Sequence, residues 1–139
     1  MTAAPNRLLD LARRHAAAEA AGDLEATLAT LEPEPVYTFF PAQVGFAGMA
    51  PTRRYYEHFF AYVMPRIQGY TLLGEWESDH GLAQEYTVVV RHDDGRTREH
   101  RILGILTFGA HALSGERLYA SDELFRFLIG PLWNELERI

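Results

Sequence analysis

The chain has 139 residues, which suits one domain with a sizeable core and is too short for two. Its net charge is −6 and all 13 basic residues are arginines, so nucleic acids and anionic membranes are not expected partners. The absence of cysteine excludes disulfides and thiolate metal sites. Because the most apolar run, residues 102–113, is shorter than the roughly 18 residues that span a bilayer, we expect a cytoplasmic protein.

The amino-terminal part of the sequence predicts two consecutive helices. Over residues 5–21 apolar side chains recur at helical spacing, and His15 and Glu19 lie four residues apart on the same stripe. Asp23 is suited to cap a second short helix, because its carboxylate can accept a free backbone N–H of the first turn. The apolar stripe of that helix consists of Leu24, Leu28 and Leu31. We expect it to end at residues 32–35, where two prolines push the residues before them out of the helical region.

A short strand and a third helix come next. Residues 36–40 are β-branched and aromatic, which favours a strand, and residues 41–48 are expected to form a loop. The helix that follows has Pro51 near its first turn, and Pro65 and Gly69 are expected to close it. Its amphipathic stripe consists of Tyr56, Phe59, Phe60, Val63 and Ile67.

From residue 70 onward the sequence alternates with the period of two that is typical of strands. The predicted strands are residues 70–78, 82–92, 96–108 and 113–121. The turn signal Asp93-Asp94-Gly95 indicates that the second and third of them form an antiparallel hairpin. The last strand is followed by Asp122 and by a short apolar segment that Gly130-Pro131 closes. Helices followed by antiparallel strands indicate an α+β fold, with a curved sheet around the helices and residues 1–139 as a single domain.

The order of the elements and several local motifs resemble the SnoaL-like polyketide cyclases of the nuclear transport factor two-like superfamily. The similar stretches are residues 15–28, Gly48 with residues 53–57, residues 115–122 with their Tyr-x-x-Asp ending, and residues 128–132. The resemblance implies a cone-shaped, antiparallel or mixed sheet wrapped around N-terminal helices, a roll of the cystatin type. It also implies a cavity between sheet and helices, and a homodimer that forms through the outer face of the sheet.

Asp122 is the first candidate for chemistry. It falls on the same face of the predicted strand as Leu118 and Ala120, so an inward-pointing face would place a carboxylic acid at the edge of an apolar interior. Such an environment raises the pKa of a carboxyl group and suits it to accept and return a proton. The resemblance implies an acid/base at this position, acting during an intramolecular aldol closure. The alternative is that Asp122 caps the segment at residues 123–128.

His100 and Glu85 are candidate helpers on the neighbouring strands. His100 shares a strand face with apolar residues and could polarise a carbonyl group or share a proton with Asp122; the alternative is an exposed histidine at a strand end. Glu85 interrupts a strand that otherwise has a buried pattern. It is expected to act as a second acid/base in the cavity or to form an ion pair with Arg98 across the hairpin.

The aromatic residues predict an apolar ligand pocket as well as a core. The expected substrate contacts are Tyr37, Phe39, Tyr56, Phe60, Trp76, Tyr86 and Leu118. His15 and Glu19 are expected to form a hydrogen bond and not a metal site, because no third ligand follows at a suitable spacing. Phosphate-binding and nucleophile-elbow motifs are missing from the sequence.

We therefore expect a small-molecule enzyme of the lyase or isomerase type that works by general acid/base catalysis without a cofactor or metal. Its substrate would be a small apolar molecule with a carbonyl group, and proton abstraction beside that group would lead to cyclisation, isomerisation or dehydration. The alternative is a non-catalytic module of the same fold that binds a ligand in the cavity or a partner on the sheet.

Overall fold

Four α-helices and one seven-stranded sheet make up the part of the chain that the structure, a computed structural model, describes: residues 5–139. The helices are α1 (Pro5–Ala20), α2 (Leu24–Leu28), α3 (Met49–His58) and α4 (Asp122–Ile129). The strands are β1 (Leu31–Phe40), β2 (Val44–Ala47), β3 (Ile67–Ser78), β4 (Gly81–Arg91), β5 (Thr97–Phe108), β6 (Leu113–Tyr119) and β7 (Glu137–Arg138). None of the helices in this range has the length and apolar character that crossing a bilayer requires.

The sheet is mixed and open, with the strand order β3-β4-β5-β6-β1-β2-β7. β1 and β6 run parallel to each other, and the other neighbouring strands are antiparallel. The predicted hairpin is confirmed, with Arg91 opposite Thr97 across the turn. The α+β architecture, in which a curved sheet covers the helices, is also confirmed.

The region between the second and third helices contains more strand than the sequence predicts. β1 begins at Leu31, and the two prolines expected to stop a helix lie in a stretch where its pairing with β6 is irregular. Proline is tolerated there because no ladder hydrogen bond is required from its nitrogen. The predicted loop at residues 41–48 contains β2, which can approach β1 closely because Gly45 has no side chain to meet the Tyr37 carbonyl oxygen.

The third helix and the last strand both end earlier than expected. α3 passes into a π-helical turn at Phe59–Val63 and a 3₁₀ turn at Met64–Arg66, after which Ile67 already belongs to β3. β6 ends at Tyr119, two residues before the predicted boundary.

The core lies between the helices and one face of the sheet, here called the inner face. α1 contacts β4, β5 and β6, whereas α3 contacts β1 and β2. The buried side chains on the inner face are Tyr37, Phe39, Leu82, Val88, Val90, Ile102, Leu106 and Leu118, and they meet Leu8, Leu11 and Ala12 of α1, Tyr55 and Tyr56 of α3, and Leu124, Phe125 and Leu128 of α4. Removing this apolar surface from water is the main force that holds the helices on the sheet.

Candidate functional site

A cavity of about 380 Å³ lies between α1, the π-helical turn and the inner face of the sheet. It is lined by His15, Ala16, Glu19, Ala20, Phe59, Met64, Ile67, Tyr70, Gln84, Tyr86, Val88, Gly104, Leu106 and Glu116. A smaller pocket of about 40 Å³ shares Glu19, Tyr86 and Glu116 with it and extends toward Leu118. The volume and the mixture of apolar walls with a few polar groups are typical of sites for small molecules.

Glu116 of β6 is placed in this cavity by the register of the sheet. It lies opposite Leu106 of β5 and Tyr37 of β1, which are both buried on the inner face. Its carboxylate extends over Gly104, where a Cβ atom would lie 2.7 Å from Glu116 Oε2. Glu116 can therefore occupy this space only because residue 104 is a glycine.

The Glu116 carboxyl group has no ion-pair or hydrogen-bond partner within residues 5–139. Its removal from water raises its pKa well above the ordinary value, and the negative charge of Glu19 raises this pKa further. Glu116 consequently keeps its proton to a higher pH than an exposed glutamate does. In its neutral form it can donate a hydrogen bond or a proton to a ligand in the cavity.

Glu19 reaches the same cavity from α1. It lies one helical turn after His15, and its Oε2 atom is 3.4 Å from His15 Nε2 and 3.4 Å from the hydroxyl oxygen of Tyr56. Its side chain is only partly buried, so it keeps contact with water. The cavity thus contains two partly exposed carboxyl groups in different surroundings: Glu19 lies beside His15 and Tyr56, whereas Glu116 lies among apolar side chains without a polar partner in the described part of the chain.

A chain of hydrogen bonds behind Glu19 fixes the orientation of the buried His15 ring. The Thr30 hydroxyl donates to the Thr27 carbonyl oxygen at 2.7 Å, so it accepts a hydrogen bond from His15 Nδ1, also at 2.7 Å. In the neutral ring Nε2 then accepts from the Tyr56 hydroxyl at 3.1 Å. Tyr56 in turn accepts from the Tyr37 hydroxyl at 2.7 Å. Burial raises the pKa of Tyr37 and Tyr56 well above the ordinary value, so both phenols stay protonated.

The predicted substrate contacts fall into three groups. Tyr86 lines the cavity and Leu118 lines the smaller pocket. Tyr37 and Tyr56 belong to the hydrogen-bond chain, whereas Phe39 packs against Phe125 in the core and Phe60 stacks on Tyr56. Trp76 does not reach the cavity: it lies opposite Ala83 on the outer face of the sheet, is 56% exposed and covers Gly74.

The structure corrects the expected position of Asp122. Because β6 ends at Tyr119, the alternation of the strand does not extend to residue 122, and Asp122 is exposed in the first turn of α4. It is not the cap either, since the Ser121 hydroxyl accepts the hydrogen bond from the Leu124 backbone N–H.

Glu85 and His100 also lie outside the cavity. Glu85 sits opposite Leu103 on the outer face, and its nearest cation is Arg101 at 3.5 Å and not Arg98. His100 is buried, with its Nε2 atom 2.8 Å from His92 Nε2. Burial and the neighbouring His92 lower the pKa of His100. The three predicted catalytic residues are therefore not brought together.

Glu116 is the residue that sequence reasoning missed, although the sequence contains a signal for it. It shares the parity of Leu118 and Ala120, the face expected to point inward, and so precedes them as an acid on an apolar strand face. Asp122 continues the same alternation toward the carboxyl end of the strand, and Glu116 lies on it toward the amino end. His15 and Glu19 were recognised as neighbours, but nothing in the spacing places them opposite β6.

No protein-family model matches the chain, and no curated protein matches its sequence. Solved structures are similar in fold. PrhC from Penicillium brasilianum has 16% identity and a TM-score of 0.65, covering 94% of this chain and 90% of its own. An NTF2-like protein of unknown function from Burkholderia xenovorans has 17% identity and a TM-score of 0.63, covering 84% of each chain.

A third neighbour, an NTF2-like protein of unknown function from Cytophaga hutchinsonii, has 13% identity and a TM-score of 0.67, covering 82% of this chain and 99% of its own. Identities this low speak for the fold and not for the chemistry. The chain therefore has the nuclear transport factor two-like fold, as its sequence resemblance implied.

Proposed function

We propose that this protein is a small-molecule enzyme that moves protons by general acid/base catalysis, with Glu116 and Glu19 as the catalytic residues. The observation that carries the proposal is the pair of carboxyl groups in one largely apolar cavity, of which Glu116 has a raised pKa and no polar partner among the described residues. A carboxyl group with a raised pKa can serve as the acid beside a second carboxyl group that serves as the base.

The roles follow from the two environments. Glu19, which is partly solvated, acts as the base and accepts a proton from the carbon atom next to a substrate carbonyl group. The electron pair of that C–H bond forms a carbon–carbon double bond, and the π pair of the carbonyl group moves onto its oxygen. The neutral Glu116 donates a hydrogen bond to this oxygen, where negative charge develops, between largely apolar walls. Return of the proton from Glu19 to another carbon atom gives isomerisation. Transfer of that proton to a departing β-hydroxyl group releases water and gives dehydration.

The walls of the cavity favour a small apolar substrate with one carbonyl group. Phe59, Met64, Ile67, Val88 and Leu106 supply apolar surface. The Tyr86 hydroxyl has no hydrogen-bond partner within the described residues and is available to orient a polar group of the ligand. A strongly anionic ligand is disfavoured, because the two acidic residues that face it, Glu19 and Glu116, would repel it.

The test is the exchange of carbon-bound protons with solvent deuterium, followed by NMR for a panel of small cyclic ketones. We expect the wild-type protein to catalyse exchange for at least one ketone, and Glu116→Gln and Glu19→Gln each to slow it by roughly 10²-fold or more. Asp122→Asn is the matched control and should exchange at the wild-type rate, because Asp122 is exposed outside the cavity.

Two results would contradict the proposal. Wild-type exchange rates in both glutamine variants would remove the carboxyl pair from the chemistry. A ketone that binds in the cavity without any exchange would favour the alternative of a non-catalytic binding module with the same fold. Circular dichroism of each variant would show that a lost rate is not a lost fold.

A further inference from the structure

A second group of polar side chains, separate from the cavity, comes together near the start of α4. His92 lies in the turn after β4, His100 lies on the inner face of β5, and Glu123 lies in the first turn of α4. One ring nitrogen from each histidine and one carboxylate oxygen all lie within 4.8 Å of one another. We propose that these three residues bind one divalent first-row transition-metal ion, with zinc the preferred one. The site lies outside the cavity lining, and the proposal does not depend on the proposed function.

The geometry is close to that of a metal centre. His92 Nε2 and His100 Nε2 are 2.8 Å apart, and His100 Nε2 is 3.7 Å from Glu123 Oε1. Zinc–nitrogen bonds of about 2.0–2.1 Å at tetrahedral angles place two ligand nitrogens roughly 3.3 Å apart. An ion would fit once the rings rotate to separate the two nitrogens by about half an ångström and the Glu123 carboxylate moves a few tenths of an ångström toward them.

The ligand set selects the class of ion. Two imidazoles and one carboxylate form the three-residue set of zinc sites that keep a fourth position for water. Magnesium and calcium prefer sites made of oxygen atoms, which these histidines do not supply. Glu123 is 42% exposed whereas His100 is 8% exposed, so the ion would enter from the solvent side of α4 and a water molecule could complete its coordination.

Packing and backbone pairing keep the two histidine rings next to each other. His92 packs edge-on against Phe127 of α4 with 5.1 Å between the ring centroids, and its backbone N–H donates to the Arg96 carbonyl oxygen at 2.8 Å. His100 is fixed in the middle of the antiparallel pairing, opposite Val88. A bound ion would link the β4–β5 hairpin to α4 and so stabilise the contact between sheet and helix.

Arg98 competes with a metal ion for the same carboxylate. Its Nη1 atom is 2.6 Å from Glu123 Oε1 and 2.8 Å from Glu123 Oε2. An ion can bind fully only when Glu123 turns an oxygen away from this guanidinium group. Replacing Arg98 should therefore strengthen metal binding, whereas replacing Glu123 should weaken it.

The experiment is a calorimetric titration of the full chain with Zn²⁺ after treatment with EDTA and dialysis, with Mg²⁺ as the hard-cation control. We expect one Zn²⁺ per chain and no saturable Mg²⁺ binding. His92→Ala and Glu123→Gln should each weaken Zn²⁺ binding at least roughly tenfold, the loss that even an outer-sphere partner causes. Arg98→Gln should bind more tightly than wild type. His80→Ala, which removes an exposed histidine outside the cluster, should bind as wild type does.

The absence of saturable Zn²⁺ binding to the wild-type chain would overturn the proposal. So would wild-type affinity in both His92→Ala and Glu123→Gln, because the ion would then lie elsewhere. Zn²⁺ should also raise the melting temperature of the wild-type protein and not that of Glu123→Gln. Arg98 and Glu123 are both exposed, so these two variants decide the question even if the His92 variant does not fold.

Discussion

Glu116 is a costly side chain for the fold, because an acid placed among apolar residues without a partner loses part of its contact with water. Proteins often keep such groups where chemistry needs them, at the expense of stability. The neighbouring Gly104 accommodates Glu116, because a glycine has no side chain and so leaves space for the carboxyl group. An acid that is unfavourable for stability, with space reserved for it by a glycine, indicates a functional role for Glu116 and not a structural one.

The raised pKa of Glu116 predicts how stability depends on pH. From near 4.5, the ordinary pKa, up to the raised value, the folded chain keeps this proton and the unfolded chain loses it. The free energy of unfolding therefore falls as pH rises through that range, by at most about 1.4 kcal/mol per pH unit for one proton. Below the ordinary pKa both states hold the proton, and the group contributes no slope.

Glu116→Gln removes this titration, so the variant should gain stability relative to wild type as pH rises. We expect the difference in the free energy of unfolding to be smallest near pH 4 and to grow toward pH 8, measured by urea denaturation at a series of pH values. Parallel stability curves for the two proteins would show that Glu116 titrates normally.

At the scale of elements, the sequence predicted the parts of the fold that depend on clear periodicity. The helix at residues 5–21, the hairpin around Asp93-Asp94-Gly95 and the α+β order are all found, because each is determined by local patterns. β2 was missed since its four residues become a strand only by pairing with β1 and β7. The end of β6 was misjudged because the local alternation continues to Ser121 while the pairing with β5 and β1 stops at Tyr119.

The candidate site was harder to predict than the fold. Its residues come from α1, the two turns after α3, and the strands β3, β4, β5 and β6, and only the tertiary fold brings them together. The sequence shows that His15 and Glu19 share a helix face, but not that this face lies across from Glu116. The sequence instead points first to Asp122, which the turn into α4 directs to solvent.

A substitution at Gly104 of β5 tests whether the position of the Glu116 carboxyl group matters to the reaction. In Gly104→Ala the new Cβ would lie 2.7 Å from Glu116 Oε2, so the carboxyl group must move, and it can do so because it ends a flexible side chain. Displacement of a catalytic group by about an ångström can cost roughly 10²-fold in rate. We expect deuterium exchange to fall by an amount of this order, with little change in stability.

Gly69→Ala is the matched control for this prediction. Gly69 is also a strand glycine, on β3, but a Cβ atom there would have its nearest neighbour, Val89 Cγ2, at 4.0 Å. The Gly69→Ala variant should therefore have an exchange rate and a free energy of unfolding close to those of the wild type. Equal exchange rates in the two alanine variants would show that the position of Glu116 does not matter to the reaction.

For the whole molecule, the outer face of the sheet is the surface that most needs an explanation. Val36, Trp76 and Tyr119 are exposed there, on β1, β3 and β6. A band of partly exposed apolar side chains joins them: Val89, Leu103 and Ile105. Five adjacent strands of about ten residues cover roughly 800 Å², which is about the area that each partner buries in a stable interface. We propose that two copies of the chain associate through this face.

Trp76→Glu should break this dimer, because the substitution replaces the largest exposed apolar side chain of this face with a charge. We expect light scattering coupled to size-exclusion chromatography to give the mass of a dimer for the wild-type chain and of a monomer for the variant. Leu72→Glu is the matched control: Leu72 is an exposed apolar residue of the same strand, but it lies opposite Tyr86 and so belongs to the other face. This control should remain dimeric. A wild-type chain that stays monomeric at high micromolar concentration would show that this dimer does not form. A Trp76→Glu variant that stays dimeric would show that the interface lies elsewhere.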